Sequence, residues 1–105
     1  LDKGLEMLKK AIKLRENDGY IIDSLGWAYY ALKNYSEAEL FLQKAVELLP
    51  LDPIINDHYA DTLWRLNKDI QARYFWNHVL KLNDTEQKLK DDISKKLIFG
   101  ITKQL

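Results

Sequence analysis

Asp57, His58 and Asp61 form the cluster whose types and spacing come nearest to metal or proton chemistry. On a helix, residues three and four apart share a face, so Asp61 aligns with both Asp57 and His58. A cation bridging Asp61 and His58 is the chemistry such a trio could support. Asp23 weighs against it. It stands 34 residues before Asp57 and repeats the carboxylate, and a recurring carboxylate reads as a stripe along a groove. The other histidine, His78, lies between Asn77 and Val79 on what reads as a half-exposed helix face. There is no cysteine, no glycine-rich phosphate loop and no serine nucleophile elbow. The expectation is a protein without an active site, a metal or a cofactor.

Composition agrees with a folded binding protein. The 105 residues fit one domain, and 47% hydrophobic content with 30% charged residues supports a core. Sixteen basic side chains balance sixteen acidic ones. That balance gives no general attraction to nucleic acid or to an anionic membrane. No apolar run reaches the roughly 18 residues of a membrane helix. The compartment stays open: a soluble protein is expected, cytoplasmic or, in a bacterium, periplasmic. Richness in Lys, Ile and Asn suggests an AT-rich, bacterial source.

The elements that must carry these residues are all helical. Apolar side chains recur with helical spacing and strand-like alternation is absent. Leu1, Leu5, Leu8 and Ile12 lay one stripe on a first helix. Asn17-Asp18-Gly19 ends it, with Asp18 as the next cap. A second helix is expected from about Tyr20 to Leu32. Ser36 with Glu39 has the capping-box spacing for a third, which ends at Leu49 before Pro50. Asp52 and Pro53 open a fourth, to about Leu66. Asp69 caps a fifth, to Leu82. Asp84 and Gln87 frame a sixth, to about Ile98.

The chain also repeats. A shift of 34 residues brings Leu25 onto Tyr59, Gly26 onto Ala60, Leu42 onto Trp76, Ala38 onto Ala72 and Ala45 onto Val79. Small meets small and large meets large in most of these pairs. Antiparallel helices pack closely only where one offers a small side chain. Gly26 and Ala60 are expected to be those points on the first helix of each pair. Ala38, Ala45 and Ala72 are expected to play that part on the second.

These residues resemble the tetratricopeptide repeat. Residues 19–52 carry Leu25, Gly26 and Tyr29 in the first-helix slots, with Ile22 in the family's Trp position, and then Ala38, Leu42, Ala45 and Pro50. Residues 53–86 match more loosely, through Tyr59, Ala60, Leu63, Ala72 and Trp76. Residues 1–18 match only a second helix. The resemblance implies an all-α fold, a right-handed α-solenoid of antiparallel helix pairs. It implies a concave face lined by Tyr20, Asp23, Trp27, Tyr30 and Ala31 from one repeat, and by Ile54, Asp57, Asp61, Trp64 and Arg65 from the next. Family members that grip acidic C-terminal peptides use Lys, Asn and Arg there. This chain offers carboxylates, with Arg65 the one basic side chain. The implied partner is therefore a protein or peptide, apolar or aromatic with basic character, and not nucleic acid or membrane.

Residues 87–105 read as leaving the register, a terminal capping helix with Leu89, Ile93 and Leu97 facing inward. The half repeat at the front suggests the C-terminal part of a longer array. It also leaves a second function open: a scaffold segment that self-associates through that half repeat or through its convex face.

Overall fold

The structure, a computed structural model, describes residues 4–7, 9 and 17–101, and every regular element among them is a helix. Residues 4–7 and 9 are helical. Five helices follow: α1 Gly19–Ala31, α2 Tyr35–Leu48, α3 Pro53–Arg65, α4 Asp69–Lys81 and α5 Gln87–Phe99. Of the stripe expected on the first helix, Leu5 is half-buried. Leu1, Leu8 and Ile12 lie outside the described residues.

Two caps form as the sequence predicts. The Asp18 carboxylate accepts hydrogen bonds from the Tyr20 and Ile21 amides. The Asp52 carboxylate accepts one from the Ile55 amide, with Pro53 in the first turn, where its missing N–H costs nothing. The other three differ. Asn34, not Ser36, caps α2, through a bond from the Glu37 amide. Lys68 precedes α4, which begins at Asp69, and Glu86 precedes α5. The preceding turns explain the first two shifts. Lys33 and Asn67 adopt left-handed backbone, with φ of 62° and 63°. The next amide then reaches back over the helix end, Asn34 to the Tyr29 carbonyl and Lys68 to the Leu63 carbonyl, each at 2.9 Å. This turn fixes where the following helix can start.

The helices keep a strict phase. α1, α3 and α5 start 34 residues apart, and so do α2 and α4. That corrects the expectation that residues 87–105 leave the register: α5 is phased as a third first helix. Ile93 takes the buried slot of Leu25 and Tyr59. Ser94 continues the small residues Gly26 and Ala60. The change of side chains hid the phase, because Lys90 stands where Ile22 and Asn56 are buried. The polar residue suits a helix whose face is solvated, as the end of a stack requires.

The core runs between the pairs. Leu42, Ala60, Leu63, Trp76, Val79 and Ile93 are buried in one cluster, and Ile22, Ala45 and Ile55 form a second. Each large apolar side chain so buried contributes roughly 1.5–3 kcal/mol. Ala38, Ala45, Ala60 and Ala72 have no exposed surface. At Gly26 an added Cβ would stand 2.7 Å from the Leu42 Cγ and 3.2 Å from the Leu42 backbone nitrogen. The glycine's helix-propensity cost of about 1 kcal/mol accompanies this close approach of α1 to α2.

Candidate functional site

α1, α3 and α5, the first helices of successive units, meet along one side of the molecule. Links at a sequence offset of 35 recur between their side chains. Asp23 Oδ1 lies 2.9 Å from His58 Nδ1. Arg65 Nε donates to the Tyr30 hydroxyl at 3.1 Å. Lys96 Nζ donates to both oxygens of Asp61, at 3.0 and 3.1 Å. One repeat plus one residue is the step that brings neighbouring first helices face to face here.

The α1–α3 junction is aromatic. Trp27 stacks on Tyr30 with centroids 4.2 Å apart, and on His58 at 3.8 Å. Asp23 holds Nδ1 of the imidazole, and the Arg65 guanidinium lies 5.9 Å from the Tyr30 ring centroid. The result is a ladder of Tyr30, Trp27 and His58, closed by a cation at one end and a carboxylate at the other. Its members are half-buried, so each keeps a solvent-facing edge. Burial raises the Tyr30 hydroxyl's pKa, against the opposing effect of the bond from Arg65. That same bond raises the Arg65 guanidinium's. Tyr30 stays neutral and Arg65 charged at physiological pH.

The α3–α5 junction is ionic. Asp57 and Asp61 are 8% and 7% exposed. Lys96 reaches Asp57 at 3.0 and 3.3 Å as well as Asp61, so one ammonium serves two carboxylates. The Trp76 indole N–H donates to Asp61 at 3.0 Å. Burial, then the neighbouring Asp57, push the Asp61 carboxyl up to about 6, against the pull of Lys96. Burial alone would lower the Lys96 ammonium's pKa, but the attraction of Asp61 and Asp57 outweighs it and raises it. Trp64 ties the end of α5. Its indole N–H donates to the Ile101 carbonyl at 3.3 Å, its ring packs on Trp76, and Gly100, in left-handed backbone at φ 69°, lies against the same ring.

The residues expected to face a partner therefore fall into three sets. Asp57 and Asp61 are buried under α5 and half-buried Trp64 is tied to its end, which differs from their expected place on an open groove. A first helix in third position covers them. Asp23, Trp27, Tyr30 and Arg65 form the half-buried ladder. Tyr20 and Ile54 are open, at 61% and 57% exposed. Among the described residues no group of three or more His, Asp or Glu side chains could hold a metal ion. His58, weighed above as a metal ligand, is held by Asp23 and Trp27. Sequence reasoning missed Lys96. Its signal was the offset, since Lys96 stands 35 after Asp61 as His58 stands after Asp23.

A family model for the tetratricopeptide repeat matches residues 20–52. A solved structure with the same fold, the first TPR of Spaghetti (RPAP3) bound to the HSP90 peptide SRMEEVD, superposes with a TM-score of 0.79. Residues 20–52 carry a tetratricopeptide repeat. The likeness to that structure covers 90% of this chain and 75% of the other at 19% identity, so it speaks for the fold alone. No curated protein sequence matches the chain. Among the described residues, no helix is long and apolar enough to cross a membrane.

Proposed function

We propose that the chain is a non-enzymatic protein-interaction module that receives a peptide or protein segment on the side formed by its first helices. The observation that carries this reading is the half-buried ladder of Tyr30, Trp27 and His58, edged by Asp23 and Arg65. Rigid, pre-stacked aromatics offer a large contact area with few rotors left to freeze on binding. The Spaghetti domain, whose peptide is acidic, supports binding of a peptide as such. The side chains here argue for a different ligand charge. Arg65 is engaged with Tyr30 and Lys96 with two carboxylates, and Asp23, itself held on His58, brings a negative charge to the ladder's edge. A ligand that is apolar or aromatic with basic residues fits best.

Calorimetric titration with SRMEEVD tests the charge preference. No binding is expected, and tight binding would overturn it. The ladder itself is tested by pull-down from source-cell lysate with wild type and a folded Asp23→Lys variant. Loss of the captured protein supports the ladder as the site; equal capture removes it.

Self-association remains a second reading, favoured by Ile70 and Tyr74. They lie one turn apart on α4 and are both well exposed. Sedimentation over a range of concentrations decides it: a constant monomer mass rejects this reading.

A further inference from the structure

A second open apolar surface exists besides the ladder. At the N-terminal ends of α1, α3 and α5, two clefts of about 290 and 450 Å³ share Asp52, Pro53 and Asp84 in their walls. The two clefts adjoin at these shared walls, as the two parts of one channel. Its floor is apolar: Leu49, Pro50 and Leu51 from the turn after α2, with Pro53, Ile54 and Leu89. Tyr20, Leu51 and Ile54 stand open along it. Each part has room for a side chain of a bound segment.

Its rim is acidic. Asp52, Asp84, Glu86 and Asp92 line it against a single Lys88. Among the described residues none of these four carboxylates takes part in an ion pair. This differs from the α3–α5 junction, where Lys96 already answers Asp57 and Asp61. Asp52 is engaged as the cap of α3, so Asp84, Glu86 and Asp92 carry the unpaired charge beside the exposed apolar side chains. The 34-residue phase accounts for the arrangement. It places Asp52 and Glu86 in equivalent cap positions, and it places Tyr20, Ile54 and Lys88 two residues after successive caps.

We propose that this channel, at the edge of the face and distinct from the ladder, docks an extended segment of another protein that alternates apolar and basic side chains. The proposal rests on the interaction-module reading and relocates its main anchor. Apolar side chains enter beside Leu51 and Ile54, and lysine or arginine heads meet Asp84, Glu86 and Asp92. The exposed rim makes the contact sensitive to salt.

The test uses a defined probe, a short capped peptide alternating lysine with leucine, and its twin with glutamate for lysine. Each is titrated into the full chain and followed by amide NMR. The expected result is shifts confined to the surroundings of Tyr20, Leu51, Ile54 and Leu89 with the basic peptide alone. Ile54→Ser should weaken that binding roughly tenfold. Ile54 is exposed, so this variant should keep the wild-type spectrum elsewhere. Shifts centred on Trp27, Tyr30 and Arg65 would overturn the channel while keeping the interaction module. An equal response to both peptides, or none to either, would also overturn the channel. The ladder is judged separately, by the Asp23→Lys capture.

Discussion

Replacing Lys96 by methionine keeps the length of the side chain and removes its charge. Asp57 and Asp61 would then face each other, nearly buried, with no cation between them. Removing one partner of a buried ion pair costs about 3–5 kcal/mol. Lys96 is 22% exposed in its side chain, which places the expected loss at the lower end, about 3 kcal/mol. There is also a ceiling. If α5 detaches, water reaches both carboxylates, so the loss cannot exceed the free energy that holds α5 in place. The assay is native-state hydrogen exchange. Amides of α5 should lose protection first, with α1–α4 nearly unchanged. The loss should also depend on pH in a defined direction. The Asp61 carboxyl, already up to about 6 with Lys96 present, goes higher without it. Folded Lys96→Met chains then take up a proton in a range where folded wild type does not. The gap between the two should narrow as pH falls from about 8 to about 6. A variant as stable as wild type, or a gap that widens on acidification, would refute the reasoning.

Gly26→Ala should destabilise by about 1–2 kcal/mol. The new methyl group presses on buried Leu42 at 2.7 Å, and overpacking outweighs the gain in helix propensity; a raised Tm would contradict this. Lys33→Gly should stabilise by about 1 kcal/mol, by relieving left-handed backbone at φ 62°, as thermal unfolding would show. Asp61→Asn should gain on wild type as pH rises from about 4 to about 7. The folded-state pKa is raised from 3.8 to about 6, so this carboxyl's contribution to wild-type stability falls through that window, by a few kcal/mol at most. Parallel urea curves for both proteins across the window measure it.

Much of the fold is legible in the chain because its signals are local. Asp18, Asp52 and Pro53 mark helix starts through their own backbone chemistry. Gly26 and Ala60 mark close contacts by their size. The start of α2 was not legible, because it depends on the left-handed turn at Lys33, and nothing in a lysine announces that conformation. The site was legible only in part. Whether a carboxylate faces solvent or a neighbour depends on the offset between repeats, and an offset of 34 aligns equivalent positions, not touching ones. Asp57 and Asp61 read as groove residues until the step of 35 places Lys96 upon them. Tyr20 and Ile54, near the helix starts, lie outside these contacts and stay open.

The cross-links of offset 35 each span one repeat and no more. Under tension this makes the molecule a series of clasps and not a single knot. Pulled by its C-terminal end, the chain should first release α5, as the bonds from Lys96 and Trp64 part together. The second repeat would follow as its links to the first, Asp23 to His58 and Tyr30 to Arg65, give way. Force on this end would arrive at the Tyr30–Trp27–His58 ladder only after the outer clasp had opened, so a load applied there would be absorbed in steps before it disturbed the ladder.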